Sequence, residues 1–387
     1  MTSFYLECGA CGSMTDPIPL AALCTACGSP QLVCYRTVSA GSGPALRDTW
    51  ATRQGGMWRY RELLPLLPGE APVSLGEGGT PLVPLPRMGE ALDLKLLMKD
   101  EGGNPTGSFK DRGLSAAVTR AVHDGAQRFV LPSAGNAGVA LAAYAARAGV
   151  PATIFIPVDT PKAVFDRCAA YQADVVPVDG LISDCGTRAA AHAAETGAFD
   201  LATLREPYRI EGKKTMGLEI LEALDWRAPD AVIYPAGGGT GLIGTWKALR
   251  EAAALRLIDR PVTRLYAVQA AGCAPIVRAW EAGHDAAQTW VDARTAAWGL
   301  RVPSARGDGL MLRALRESGG GAISVEDSEM RAEARRVACT DGLAAGIEGG
   351  ATLAAAARLR ERGDLAAGET VIVFNTGNLW NYGRYTG

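Results

Sequence analysis

From about residue 90 onward, short apolar runs alternate with longer stretches of helical periodicity. Phe129–Leu131, Thr153–Ile156, Val175–Val178, Ala231–Tyr234, Leu265–Val268 and Val371–Phe374 have the length and branched apolar content of buried strands. Between them lie the Ala-rich stretch Val139–Arg147, the segment after Asp159-Thr-Pro-Lys162, and Leu242–Leu249, all patterned as helices. Strands alternating with helices predict open α/β sheets covered on both faces. In such sheets ligands bind in the loops beyond the carboxyl ends of the strands. No long-period repeat or low-complexity tract interrupts the pattern.

The first 35 residues read differently. Cys8-x-x-Cys11 and Cys24-x-x-Cys27 are separated by twelve residues. Each pair suits a tight knuckle that aims two thiolates at one ion, and two knuckles complete a tetrahedron. Gly9, Gly12 and Gly28 suit the turns. So short and polar a segment gains folding energy from a metal. Residues 1–35 are therefore expected to be a structural zinc ribbon-like module held by Cys8, Cys11, Cys24 and Cys27, with a metal-free ribbon as the alternative. Residues 36–57, ending in Arg-Gln-Gly-Gly, read as a linker or extended arm.

Composition narrows the function classes. The 387 residues are 48% hydrophobic and 21% charged, with a formal net charge of −2. That balance argues against a broad electrostatic grip on nucleic acid or on an anionic membrane. No apolar run is long enough to span a bilayer, and no basic start followed by an apolar core opens the chain, so a cytoplasmic location is expected. The other five of the nine cysteines are scattered, which fits a reducing compartment better than a disulfide framework. Only three histidines occur, none in a motif-like setting, which leaves Ser–His and Cys–His mechanisms thinly supported.

Three loops at expected strand–helix junctions carry candidate chemistry. In Asn104-Pro-Thr-Gly-Ser-Phe-Lys110-Asp-Arg-Gly113, Pro105 and Gly107 impose a turn and Ser108 is positioned to cap a helix. Lys110 then falls in the first helical turn, where the helix dipole disfavours a cation. The placement makes sense for an imine-forming amine with a lowered pKa. A surface lysine on a capped helix is the local alternative. In Ser133-Ala-Gly-Asn136-Ala-Gly138, small residues leave N–H groups open at a helix start, a site for a carboxylate. Asn136 adds an amide able to hold a phenolic or carbonyl oxygen, or simply a turn residue in a left-handed conformation. Gly237-Gly-Gly-Thr240-Gly241 opens another helix and forms a phosphate cradle. Gly239-x-Gly241-x-x-Gly244 also matches a dinucleotide fingerprint, yet no acid follows the next strand, which ends in Gln269-Ala-Ala-Gly. Together the loops offer a lysine, a carboxylate nest with an amide, and a phosphate cradle, which suits an imine between lysine and a phosphorylated aldehyde plus an amino-acid substrate.

At these residues the chain resembles the fold-type II pyridoxal-phosphate (PLP) enzymes, the tryptophan synthase beta-like group, and within them the threonine synthase branch. Lys99-Asp-Glu-Gly-Gly-Asn-Pro-Thr-Gly-Ser-Phe-Lys110-Asp-Arg-Gly113 is similar to that family's PLP-lysine motif almost throughout. Trp58-Arg-Tyr-Arg-Glu-Leu-Leu and Leu75-Gly-Glu-Gly-Gly-Thr-Pro-Leu resemble its N-terminal arm, and Glu348-Gly-Gly-Ala and Asn375-Thr376-Gly377 its C-terminal elements. A four-cysteine ribbon also precedes some members.

The resemblance implies two open α/β domains with PLP in the cleft: a small domain over 101–203 and a large one combining 36–100 with 204–387. It implies that Lys110 binds the cofactor and moves protons, Asn136 bonds the ring oxygen, and Gly237, Gly238, Gly239, Thr240 and Gly241 hold the phosphate. Thr376 would bond the pyridine nitrogen. Ser133, Ala134, Gly135, Asn136 and Ala137 would receive the carboxylate of a small amino-acid substrate, with Arg209 also at the substrate. A homodimer is implied by analogy.

One departure stands out. The family's Asn-Ser-x-Asn-Pro-x-Arg stretch, which helps bind the phosphate of O-phosphohomoserine, is here Thr203-Leu-Arg-Glu206-Pro-Tyr-Arg209. A carboxylate at 206 is unfavourable beside a phosphate dianion unless Arg205, Lys213 or Lys214 offsets it. Residues 299–308 also differ from the family's usual run. The expected reaction is γ-elimination of phosphate from O-phosphohomoserine and water addition to give threonine. β-Elimination or β-replacement on phosphoserine, serine, threonine or a related amino acid is the alternative, and a non-enzymatic ribbon scaffold a third.

Overall fold

The computed structural model describes residues 4–36, 42–53, 55–260 and 263–382. At the N-terminus β1 (Phe4–Cys8), β2 (Met14–Thr15) and β3 (Gln31–Tyr35) form an antiparallel sheet in the order β2-β1-β3. Residues 1–3 of the expected module lie outside the described residues. Both knuckles close with the same turn: Gly12 N–H donates to Cys8 O (3.1 Å) and Gly28 N–H to Cys24 O (2.8 Å). Gly12 and Gly28 take φ of 69° and 73°, which glycine adopts without a steric penalty. The four sulfur atoms lie within 4.8 Å of one another.

The expected linker over 36–57 is only partly irregular; its residues 37–41 and 54 lie outside the described ones. It contains α1 (Gly43–Ala51), whose Trp50 is buried edge-on against Tyr60 and beside Trp226. A single tryptophan among polar residues gave no helical period to read, so burial of its indole decides the segment.

The main body holds two sheets. After β4 (Leu82–Pro84), α2 (Pro86–Leu92), β5 (Lys95–Asp100) and α3 (Lys110–His123) comes a four-stranded parallel sheet. It contains β6 (Phe129–Pro132), α4 (Asn136–Ala148), β7 (Ala152–Pro157), α5 (Lys162–Ala170), β8 (Asp174–Val178), α6 (Ile182–Thr196) and β9 (Phe199–Asp200), in strand order β8-β7-β6-β9. The helix α7 (Tyr208–Ala223) leads back to the six-stranded sheet. That sheet is completed by β10 (Ala231–Pro235), α8 (Thr240–Ala254), β11 (Arg264–Ala270), α9 (Pro275–Glu281), α10 (Asp308–Glu317), β12 (Gly321–Val325), α11 (Asp327–Asp341), α12 (Ile347–Glu361) and β13 (Thr370–Asn375). Its order is β12-β11-β10-β13-β5-β4, parallel except at β4.

The six runs singled out by the hydrophobic pattern are all strands, one or two residues longer than the apolar run at their ends. β5 and β12 lie outside those runs. β5 carries Lys95, Lys99 and Asp100, and β12 opens on Gly321. Their pairing partners, not their own period, define them. No described helix is long and apolar enough to cross a membrane.

One ionic cluster ties the lysine-bearing loop to this frame. Arg112, on the first turn of α3, is fully buried and forks between two carboxylates. Its Nε and Nη2 donate to Glu101 (2.7 and 2.8 Å), and its Nη1 and Nη2 to Glu219 of α7 (2.7 Å each). Lys99 Nζ adds a bond to Glu219 (2.7 Å), and Asn104 Nδ2 one to Glu101 (2.8 Å). Burial pushes both carboxyls up, but Arg112 and Lys99 outweigh it and hold them below the usual carboxylate range. The register of β13 on β5 pairs Asn375 with Asp100, and Phe109 N–H then donates to Thr376 O (3.0 Å). The expected Ser108 cap is weaker than anticipated. Phe109 occupies the cap position, and Ser108 Oγ accepts Lys110 N–H only at 3.4 Å, because the loop is held by the β13 end instead.

Removing one side of a buried charge cluster leaves the other uncompensated. Arg112→Met should therefore lower the unfolding free energy by about 3–5 kcal/mol, read as a fall in the denaturant midpoint. A loss under about 1 kcal/mol, the value typical of an exposed pair, would show that the fork does not anchor the loop.

Candidate active site

A cavity of about 650 Å³ opens at the carboxyl ends of β6, β10 and β13. Lys110, Asn136, Gly237 to Gly241 and Thr376, far apart in sequence, all line it. The first turns of α3, α4, α8 and α12 contribute Lys110, Asn136, Thr240 and Glu348 to its wall. Their partial positive ends make the cavity receptive to anions.

Lys110 is half-buried and open to the cavity. Burial pushes its amine down to about 7, Arg209 adds to the effect and Glu348 opposes it. Its Nζ stands 4.5 Å from the centre of the Phe109 ring, and Lys213 Nζ stands 4.7 Å from the same ring. Lys213, fully buried in α7, donates to Thr240 Oγ1 at 2.5 Å. Burial, with Lys110 and Arg209 adding, pulls Lys213 well below the usual lysine range. Lys110 and Lys213 thus lie side by side, with Lys213 bonded to the glycine loop at Thr240 and Arg209 behind them. Their acidic neighbours, Glu206 and Glu348, are themselves raised, Glu206 to about 7, chiefly by burial. The balance calls for an added anion.

The glycine loop has no room for side chains. A Cβ on Gly237 would lie 2.2 Å from Gly299 O, one on Gly239 2.1 Å from Met311 Sδ, and one on Gly241 1.8 Å from Tyr234 Oη. Gly239 also takes φ 76° at the cap of α8. The backbone N–H groups are the surface that this loop offers to a ligand. Asn136 Oδ1 is buried without a hydrogen-bond partner among the described residues. A half-neutral lysine, the Asn136 amide on the same wall and a cradle of N–H groups across the cavity fit a phosphorylated aldehyde.

The other expected site residues are placed as follows. Ser133 is buried and braces its own loop, its Oγ accepting Gly138 N–H (2.9 Å) and Gly135 N–H (3.2 Å). Ala134, Gly135 and Ala137 form the same turn into α4. Arg209 does not reach the cavity wall. It stands behind Thr203, with Nη1 donating to Leu201 O (2.8 Å) and facing Thr203 Oγ1 (3.4 Å), while Nε and Nη2 are unpartnered among the described residues. Glu206 turns inward and caps α7, accepting Tyr208 N–H (2.6 Å) and Arg209 N–H (3.0 Å). Of the cations expected to offset it, Lys213 faces it, whereas Lys214 is committed to Glu211 and Glu251 (2.7 Å each). Arg205 lies on the cavity rim with Arg306. The sequence reading assigned no site role to Arg306 or Tyr382. Arg306 lies within the divergent 299–308 run, and Tyr382 follows the last recognisable motif with no local signal of its own.

Residues 73–377 match the family model described as pyridoxal-phosphate dependent enzyme. The threonine synthase of Methanosarcina acetivorans is 32% identical over 380 residues, covering 97% of this chain and 92% of its own length. That of Mycobacterium leprae is 35% identical, covering 82% and 86%. Among solved structures, maize serine racemase is 24% identical with a TM-score of 0.68, covering 77% of this chain and 88% of its own, a likeness of fold alone. O-ureido-L-serine synthase is 25% identical with a TM-score of 0.66, covering 78% and 90%. By fold and by family, the chain belongs to the PLP-dependent enzymes of fold type II, in their threonine-synthase-like branch.

Proposed function

We propose that this enzyme converts O-phosphohomoserine to threonine and phosphate. The observation that carries this substrate is the cationic rim. Arg205 and Arg306 both line the cavity, burial holds Arg306 below the usual arginine range with Arg205 adding, and Asp200 is the acid between them. Two guanidinium groups against one carboxylate suit a phosphate on the substrate's side chain. Glu206 does not line that rim; its Oε2 accepts two N–H groups at the start of α7, and burial raises its carboxyl to about 7.

PLP held in this cavity would supply an electron sink at the substrate's amino-bearing carbon. The chain's own groups do the rest. The N–H groups of Gly237 to Gly241, with Thr240 and Lys213 behind it, hold the cofactor phosphate. Asn136 would donate its amide N–H to the ring oxygen, and Thr376 would offer its hydroxyl to the ring nitrogen. The Ser133–Ala137 loop receives the substrate carboxylate. Lys110, close to half neutral near pH 7, is the residue that would bond the cofactor, and its amine is placed to hold or move a proton at the substrate. The four-cysteine module holds a structural zinc ion. A tetrahedral ion with metal–sulfur distances of about 2.3 Å sets its thiolates about 3.8 Å apart, and the Cys8–Cys27 and Cys11–Cys24 sulfur pairs lie 3.4 and 3.8 Å apart.

Assay of O-phosphohomoserine and O-phosphoserine side by side tests the substrate. Threonine and phosphate are expected from the first; inertness towards it with turnover of the second would move the reading to β-elimination. Lys110→Ala should lose both the visible absorption of a lysine-bound cofactor and the activity.

Arg306→Ala should raise KM for the phosphorylated substrate about tenfold or more, the scale of a lost charge-assisted bond, and leave cofactor absorption unchanged. Because the Lys110 pKa is lowered to about 7, its neutral, reactive form falls away as pH drops below that value. Cofactor uptake by the apo-protein should therefore slow as pH falls from about 8 to 6, where an unperturbed lysine would show the same steep loss at any pH below about 10. Metal analysis should find one zinc per chain, lost in Cys24→Ser together with protection of the N-terminal module from proteolysis.

A further inference from the structure

Tyr382 reaches the carboxylate loop from the opposite side of the cleft. It ends the short helical turn Leu379–Tyr382, just after β13 of the six-stranded sheet. That turn is tied down on both sides. Asn378 N–H and Asn381 Nδ2 donate to Gly107 O (2.7 and 2.8 Å), on the loop that carries Lys110. Arg167 of α5, in the other sheet's layer, bridges Asn381 O (3.2 Å) and Thr106 O (2.5 Å). The Tyr382 ring packs against the apolar group of Val139, Ile154, Ile156 and Val164. Its hydroxyl is thereby aimed at the start of α4. A Cβ on Gly135 would stand 2.6 Å from that oxygen, so the tyrosine reaches this loop only because residue 135 is glycine. The hydroxyl also faces the backbone N–H of Asn136. Burial keeps it protonated far above neutral pH, and Glu348 adds to that.

The O–H proton has no acceptor among the described residues, although Tyr382 lines the same cavity as Lys110 and Asn136. A donor without an acceptor at the start of α4, where the helix end favours negative charge, describes a site short of an anion. We propose that Tyr382 is a substrate-binding residue whose hydroxyl donates to the α-carboxylate of the amino-acid substrate seated on the Ser133–Ala137 loop. The proposal rests on the reading of that loop as the carboxylate site. It makes the C-terminal turn part of the specificity apparatus, since Asn378 and Asn381 place the tyrosine by the same contacts that hold Gly107. It also ties carboxylate recognition to the Lys110 loop, because the turn that carries Tyr382 donates two hydrogen bonds to Gly107 O.

Tyr382→Phe keeps the ring and removes only the hydroxyl. Binding of L-threonine and L-serine, and of their decarboxylated counterparts aminopropanol and ethanolamine, is measured on the cofactor-loaded wild type and variant by spectral titration and calorimetry. The variant should bind the amino acids about tenfold more weakly, the scale of one hydrogen bond to a charged group, and the amino alcohols as well as the wild type does. Equal losses for both classes, no loss, or tighter amino-acid binding by a nest freed of its hydroxyl would each overturn the proposal. A wild type that fails to prefer the amino acids over the amino alcohols would instead remove the carboxylate site itself, and with it the reading on which the proposal stands.

Discussion

The Arg112 fork is the constraint on which the site depends. Its guanidinium holds Glu101 from the lysine loop and Glu219 from α7 in one plane, out of water, and Lys99 completes the charge balance. Such a cluster is costly to bury and still more costly to break. It therefore has little freedom to shift, and Lys110, two residues before Arg112, inherits that rigidity. Much of the recognisable motif around Lys110 serves this purpose. Lys99, Glu101, Asn104 and Arg112 are buried structural partners, and Lys110 is the member of the set that opens to the cavity.

The same helix α7 faces three ways. Glu219 takes part in the fork, Lys213 bonds the glycine loop at Thr240, and Glu211 and Lys214 receive the N-terminal module. Tyr35 of β3 donates to Glu211 (2.6 Å) and lies under Lys214 Nζ at 4.4 Å. Phe4 packs edge-on against Tyr208. The cysteine ribbon thus sits on the helix that supplies the site's background charge. Around Lys110 that charge is an excess of cations and helix N-termini, with acids whose ionised forms burial disfavours. Burial, with Arg209 adding, keeps the amine close to neutral, and the surroundings are receptive to anions.

The altered stretch from Thr203 to Arg209 looks, in one dimension, like a carboxylate set against a phosphate site. In three dimensions Glu206 caps a helix, Arg209 stands behind Thr203, and Arg205 and Arg306 face the cavity from neighbouring loops. The carboxylate at 206 binds N–H groups at a helix start and does not line the cavity. Position along a motif says which residues are near a site, while backbone direction at the helix start says which of them point into it.

The linear pattern was enough for the strands with continuous apolar runs, for the paired cysteine knuckles, and for the three loops that carry the lysine, the amide and the glycines. These are local matters: period, turn chemistry and spacing are written over a few neighbouring residues. It was not enough for α7, where Arg209, Glu211, Lys213, Lys214 and Glu219 are buried although their charge suggests a solvent-facing helix. Nor could it show α1 inside the apparent linker, the strand at Lys95–Asp100, or Arg306 and Tyr382 at the cavity. Each of these depends on partners more than a hundred residues away, through an ion pair, a strand register or a packed ring. The sequence by itself determined the chemistry on offer, because reactive and turn-forming groups carry their own signature. Only the tertiary structure decided which charges are buried together and which groups meet across the cleft, because desolvation and contact are properties of the fold and not of any one segment.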